Sequence, residues 1–443
     1  MFVIKCHFRK IWTCLKQNAR ICVDKASSST RQGQQVQVNQ VIKMPLTNLI
    51  NDFTLLWQRS DTVFPVLEHA YSATVKRENE QYLENLLKGA QQNGRLSKSL
   101  KEGAVATNEK VAQKRAEFFN KVLRIDDSQL ADFKKSGFDG ISKEFSEKAK
   151  DFDAQLTRND IYQAIRNVWT MNCLQLLFGL RVALTPSVFA YSLLYPYTDN
   201  FLDDPTLSAE EKIDFNHRFE ERLRGANSKG RNRREEKIYQ LVGMIEEEWE
   251  RSACQPVYDS LADIHAAQKK SLQLIGANGL DWPAVFALSL EKGGASVVAD
   301  GYLVAGELTP GREKILFGCG AFLQFVDDLQ DIQEDMANQT MTVFTMRCNG
   351  ETLDALTNKT FHFGRAVLRL FDDLALSPDF LDLTKRITDL LIVESVGRAP
   401  HRFSNPFTAE MEKYFPIRFA FLHRIRERFA QHRGSVMGLM AGV

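Results

Sequence analysis

The chain has 443 residues, of which 44% are hydrophobic and 26% are charged, and its formal net charge is +1. This composition is typical of a globular protein with a large core, and the near-zero charge gives no electrostatic reason to expect a nucleic-acid partner. Thirty Phe against 12 Pro and 25 Gly make the chain poor in residues that break helices. The seven Cys include no Cys-x-x-Cys spacing, which indicates reduced intracellular thiols.

Residues 1–45 differ in composition from the rest of the chain. Five basic residues precede Asp24, the first acidic residue: Lys5, Arg9, Lys10, Lys16 and Arg20. We expect a disordered tail of a cytoplasmic protein, with Met44 as the working start. The alternative is a transit peptide that directs the protein to a mitochondrion or a plastid, since such peptides are basic and poor in acids.

We expect residues 46–156 to form an N-terminal helical region, because apolar residues such as Leu49, Phe53 and Trp57 recur near helical spacing. A catalytic helical bundle is predicted over residues 157–443. Its first helix begins after Thr157, because the segment from Thr157 to Asp160 has the spacing of a capping box.

The apolar stretch from 171 to 195 is interrupted by Arg181 and Pro186. It therefore predicts two buried helices joined near Thr185-Pro186 rather than a transmembrane segment. Further along, Gly293-Gly294 is predicted to break a helix that resumes at residue 295. No long alternating segment occurs anywhere, so an all-α fold is predicted.

A dense acidic cluster ends the apolar segment that begins at Gly318. On a helix, Asp327, Asp331 and Asp335 fall at i, i+4 and i+8 on one face, with Asp328 at its edge. Like charges at this spacing repel, and buried carboxylates need partners or a metal. Oxygen ligands beside a phosphate-sized space suit Mg²⁺.

A second acidic cluster lies upstream, also after an apolar segment. Asp199 and Asp203 are again four residues apart, and Asp204 is adjacent. Either cluster alone is equally compatible with a solvated helix face. Together they predict two carboxylate walls that hold a diphosphate through bridging Mg²⁺.

These motifs resemble those of class I isoprenoid synthases, the all-helical superfamily that ionises prenyl diphosphates. The stretch from Leu323 to Asp331 resembles the second aspartate-rich motif of prenyl-chain elongases, and the overlapping stretch to Asp335 resembles that of squalene and phytoene synthases. Asp199-x-x-x-Asp203 resembles the first motif of squalene, phytoene and large bacterial terpene synthases. The resemblance covers residues 160–345, and the asparagine–serine–glutamate motif of plant and fungal cyclases is absent.

The resemblance implies a helical bundle around a central cavity, with additional N-terminal helices. It implies about three Mg²⁺ ions, held by a set of seven carboxylates: Asp199, Asp203, Asp204, Asp327, Asp328, Asp331 and Asp335. Of these, Asp199, Asp203, Asp327 and Asp331 are expected to be catalytic. The expected reaction gives a terpene and diphosphate. Prenyl transfer, either chain elongation or head-to-head condensation, and a catalytically silent helical scaffold are the alternatives. The oligomeric state is left open, with a homodimer among the expectations.

Cations are expected to bind the remaining oxygens of the diphosphate. By resemblance to the elongases these are Lys292, Arg222 and Arg224, although Arg222 is equally compatible with a surface ion pair to Glu221 or Asp214. Aromatic rings near the motifs are expected to wall the hydrocarbon cavity, since ring faces stabilise carbocations. The candidates are Tyr195, Phe201 and Phe325, with ordinary core packing as the alternative.

Overall fold

All regular structure in the computed structural model is helical over the residues that it describes. These are residues 43–96, 117–118, 120–125, 138–202, 206–276, 279–348, 350–374 and 378–431. They contain fifteen α-helices: α1 (Leu46–Arg59), α2 (Ala73–Leu96), α3 (Phe138–Phe152), α4 (Arg158–Leu177), α5 (Pro186–Leu202), α6 (Ala209–Leu223), α7 (Arg233–Glu248), α8 (Gln255–Ser271), α9 (Trp282–Ala305), α10 (Pro310–Gln330), α11 (Ile332–Ala337), α12 (Asp354–Arg369), α13 (Pro378–Arg398), α14 (Asn405–Lys413) and α15 (Phe419–Gln431).

The all-α prediction is therefore confirmed. Within the described ranges, the only β-type pairing is one isolated bridge between Ile275 and Thr340. None of the helices in these ranges has the length and apolarity that a bilayer span requires. The expectation of a tail or targeting segment over 1–45 falls almost entirely on residues outside the described ranges and stays a prediction.

Two helix boundaries follow the local sequence signals. The Thr157 hydroxyl accepts from the backbone N–H of Asp160 at 3.1 Å, and the Asp160 carboxylate accepts from the Thr157 N–H at 2.8 Å. This reciprocal pair is the predicted capping box at the start of α4. The junction near Thr185-Pro186 is also confirmed, because α4 ends at Leu177 and α5 begins at Pro186.

The central pair of helices is α9 and α10, and glycine brings them together. A Cβ atom on Gly293 would lie 2.5 Å from the Gly320 carbonyl oxygen, so the two backbones touch. Contrary to prediction, α9 runs unbroken through Gly293-Gly294. The glycines serve a close helix approach here, and the packing gained there outweighs their poor helix propensity.

Helix α1 packs inside the bundle assigned to residues 157–443. The Trp57 ring lies 4.9 Å from that of Phe325 and 5.3 Å from that of Phe286, between ring centroids. Phe53 lies 5.5 Å from Phe317 in the same way. Phe53 and Trp57 are almost fully buried, so one continuous hydrophobic core includes α1 as well as the helices beyond residue 157.

Glu248 and Trp249 connect the beginning of α5 to the end of α9. The backbone N–H of Ser187 donates to the Glu248 carboxylate at 2.7 Å. The next residue, Trp249, donates its indole N–H to the Leu303 carbonyl at 3.0 Å. The first turn of α5 and the last turn of α9 therefore lie at the same end of the bundle.

Candidate functional site

Four of the predicted carboxylates line a single cavity of about 130 Å³. We call Asp327, Asp328, Asp331 and Asp335 the acidic wall. The complete lining comprises ten residues: Leu274, Ser289, Lys292, Gln324, Asp327, Asp328, Asp331, Asp335, Thr340 and Thr342. The fold thus brings the second acidic cluster and the predicted cation Lys292 together around one space.

The acidic wall is built on two helices rather than on the single helix predicted. Helix α10 ends at Gln330, and Asp331 has φ −102° and ψ 14° before α11 begins. Hydrogen bonds of 2.9 Å still join Asp331 N–H to the Asp327 carbonyl and Asp335 N–H to the Asp331 carbonyl. The four-residue spacing survives the break. Repulsion between like charges at this spacing weakens a continuous helix.

Burial makes the acidic wall costly to ionise. Asp328 is 6% exposed and accepts hydrogen bonds from Gln324 at 2.7 Å and Ser289 at 3.5 Å. Burial raises the pKa of Asp328 to about 7 despite these donors. Burial, reinforced by the other carboxylates of the wall, raises the pKa of Asp335 to about 8. A bound cation would remove this cost, because an opposite charge favours the ionised form.

Lys292 faces the acidic wall from α9. Its charge lowers the pKa of Asp328 and so opposes the effect of burial. Its position depends on the Gly293–Gly320 approach, which holds this turn of α9 against the turn of α10 that precedes the wall. The neighbouring Glu291 instead pairs with Lys270 of α8 at 2.6 Å.

The donor set of the wall fits Mg²⁺ in its chemistry. No group of three or more His, Cys, Asp or Glu side chains in the described part of the chain is already arranged to hold a metal ion. Mg²⁺ keeps several waters and takes one or two carboxylates, so it does not require a dense protein cage. Four carboxylates with two strongly raised pKa values provide the surplus of oxygen donors that such an ion neutralises.

The first acidic cluster falls largely outside the described residues, which include neither Asp203 nor Asp204. The backbone of α5 nevertheless shows how far along the bundle the backbone of Asp199 lies. Asn167 donates to Ser192 of α5 at 3.4 Å and to Asp300 of α9 at 3.2 Å. Since the start of α5 and the end of α9 lie at the same end of the bundle, the two helices are antiparallel.

This register places the end of α5 level with the cavity. Asp199 follows Ser192 by about two turns of α5, and Lys292 precedes Asp300 by about two turns of α9. Both backbones thus advance about 11 Å towards the same end of the bundle. The backbone at Asp199 therefore lies at the level of Lys292 and the acidic wall.

The two predicted arginines do not line this cavity. Arg222 forms a two-pronged ion pair with Glu246, at 2.7 and 2.5 Å, which joins α6 to α7. Arg224 pairs with Glu220 at 3.0 Å on the surface. Arg222 therefore forms an ion pair, as the alternative predicted, but its partner is Glu246 rather than Glu221. A role in diphosphate binding stays a prediction for both arginines.

The predicted aromatic wall also lies away from the cavity lining. Phe325 is fully buried against Trp57, and Phe201 packs against Phe215 with tilted rings whose centroids lie 4.3 Å apart. Tyr195 is 48% exposed. Leu274 is the one apolar residue in the lining. Pockets for whole organic ligands measure roughly 300–1,000 Å³, so this cavity matches a polar head group rather than a prenyl chain.

Sequence reasoning missed Arg398, which contacts the acidic wall from the end of α13. Its Nη1 donates to the Gln330 carbonyl at 3.2 Å and lies 3.5 Å from an Asp331 carboxylate oxygen. The only sequence signal is a basic residue in the last helical turn, a common way to bind terminal carbonyls. Nothing in the spacing points from Arg398 to Asp331.

Comparison with known proteins adds no relative to this description. No protein-family model, no curated protein and no solved structure matches the chain. The functional argument therefore rests on the residues of the cavity, and the resemblance to class I isoprenoid synthases rests on the two acidic motifs alone.

Proposed function

We propose that this chain is a Mg²⁺-dependent enzyme of the class I isoprenoid synthase type. It ionises an allylic prenyl diphosphate, releases diphosphate and forms a terpene. The observation that carries the proposal is the convergence of the acidic wall and Lys292 on one cavity of head-group size. Carboxylates bind the cations that a diphosphate brings, and a lysine binds its oxygens.

The charged lining residues and two of their neighbours each have a definite task in this proposal. Asp327, Asp331 and Asp335 would hold Mg²⁺, which when bound would supply Lewis-acid charge to the leaving diphosphate. Lys292 supplies a point charge to the phosphate oxygens. Gln324 and Ser289 hold the Asp328 carboxyl group in place through their hydrogen bonds. The proposal assigns the opposing wall to Asp199, Asp203 and Asp204, of which the last two lie outside the described residues.

The volume of the cavity supports separate locations for the diphosphate head and the prenyl chain of the substrate. About 130 Å³ accommodates the diphosphate head, and the proposal therefore places the prenyl chain beyond this lining. Leu274 is the one apolar residue of the lining, and the proposal therefore takes its side as the apolar edge where the chain would leave the polar space. An allylic cation formed at this edge survives only where water is excluded.

Incubation of the full chain with prenyl diphosphates tests the proposal. Substrates of ten to twenty-five carbons are supplied with MgCl₂, with and without isopentenyl diphosphate, and products are identified by gas chromatography–mass spectrometry. We expect a hydrocarbon or alcohol from one diphosphate alone. A longer diphosphate formed only with isopentenyl diphosphate would replace this proposal with chain elongation. No product, together with no Mg²⁺-dependent stabilisation by diphosphate, would indicate a scaffold.

Two variants test the site itself. We expect Asp203→Ala and Asp331→Ala each to abolish turnover, because each removes a proposed metal ligand, while the thermal unfolding midpoint changes by a few degrees at most. Asp372→Ala on the exposed surface is the control and should retain full turnover. Normal turnover in both site variants would place the chemistry elsewhere.

A further inference from the structure

Arg398 is a basic residue in direct contact with the acidic wall. Its side chain is 14% exposed and that of Asp331 is 28% exposed, and their charged atoms lie 3.5 Å apart. The same Nη1 binds the last carbonyl of α10 at 3.2 Å. The guanidinium therefore joins α13 to the point where α10 breaks, and it partly neutralises one of the proposed metal ligands.

Arg398 belongs to a cluster of charged groups at the end of α13. Glu394, one turn earlier on α13 and 1% exposed, lies 3.9 Å from Arg398 Nε. That Nε is buried and makes no hydrogen bond. Arg426 approaches from α15, and its pKa is lowered first by burial and then by the charge of Arg398. Two arginines thus face the pair of acids Glu394 and Asp331.

We propose that Arg398 is the resident counter-ion of the acidic wall and that it sets how tightly the wall binds a divalent cation. This inference rests on the proposed function, since it assigns a control on the same site. Arg398 stabilises the carboxylates while no cation is bound. A divalent cation at Asp331 must then bind against the positive charge of the guanidinium, or displace it.

The sign of the effect follows from this competition. Removing the charge of Arg398 leaves the wall more negative, so the empty wall becomes less stable and its affinity for a divalent cation rises. Partly exposed ion pairs contribute up to about 1 kcal/mol, which corresponds to about a fivefold change in affinity. A residue that only fixes the shape of the site would have the opposite effect, because its loss would weaken binding.

Calorimetric titration of the metal-free full chain with MgCl₂ and with MnCl₂ tests the inference. We expect Arg398→Gln to bind each cation about two- to fivefold more tightly than the wild type. Arg398→Lys keeps the charge and should stay close to the wild type. Arg365→Gln is the matched control, because Arg365 is 17% exposed and pairs with Asp389 at 3.3 Å, outside the cavity lining.

Thermal unfolding gives a second readout that needs no turnover. Arg398→Gln should lower the unfolding midpoint of the metal-free protein, and saturating MgCl₂ should raise it by more than in the wild type. Unchanged or weaker cation binding by Arg398→Gln would overturn the counter-ion role and leave the proposed function standing. A wild type that binds neither cation would overturn both, and turnover without this Arg398 effect would overturn the inference alone.

Discussion

Asp300 lies in the centre of the bundle, about two turns of α9 below the cavity, and is 1% exposed. The Asp300 carboxyl group accepts a hydrogen bond from the Asn167 amide at 3.2 Å. Burial raises the pKa of Asp300 to about 8, against about 3.9 in an unfolded chain. The folded protein therefore holds this carboxyl group protonated at neutral pH, whereas the unfolded chain releases the proton.

The Asp300→Asn variant should consequently be more stable than the wild type at neutral pH. Because the folded pKa is raised, the wild type has its full stability below about pH 4 and loses stability as the pH rises towards 8. At 1.36 kcal/mol per pKa unit, the loss at pH 7 is about 4 kcal/mol. The Asn side chain has the same shape, keeps an acceptor for Asn167 and does not ionise, so it avoids this loss.

Urea unfolding of both proteins between pH 4 and pH 9 measures the effect. The difference in unfolding free energy should be small at pH 4, grow steadily to about pH 8 and then level off. Asp372→Asn, at an exposed position, should show no such growth. A difference between wild type and Asp300→Asn that does not change with pH, or an Asn variant less stable at pH 8, would refute the reasoning.

Two further predictions concern the packing that supports the cavity. Gly320→Ala should cost about 1–3 kcal/mol in urea unfolding, because its Cβ would collide with the Gly293 carbonyl; Gly311→Ala on the same helix meets nothing within 4 Å and should be neutral or slightly stabilising. An equal effect of the two substitutions would contradict the close approach of α9 and α10. Trp57→Ala should cost about 3–5 kcal/mol, with one cooperative unfolding transition, since α1 shares the core of the bundle. A separate early transition for α1 would show that it is not part of that core.

The sequence by itself determined the features that depend on neighbours along the chain. The absence of long alternating segments predicted the all-α class, the capping box at Thr157 predicted the start of α4, and Pro186 predicted the start of α5. The four-residue spacing of Asp327, Asp331 and Asp335 placed three carboxylates on one face, and that spacing survived the break in the helix. Such signals are local, because each depends on backbone geometry within a few turns.

Only the tertiary structure decided which distant groups meet the acidic wall. Arg398 reaches Asp331 because α13 packs against the end of α10, and Arg222 is occupied by Glu246 because α6 packs against α7. Gly293-Gly294 looked like a helix break, yet the closeness of Gly320 turns the pair into a contact that positions Lys292. The sequence specifies the charge and the size of each side chain. Which charges meet depends on helix packing, since contacts between helices have no fixed separation in sequence.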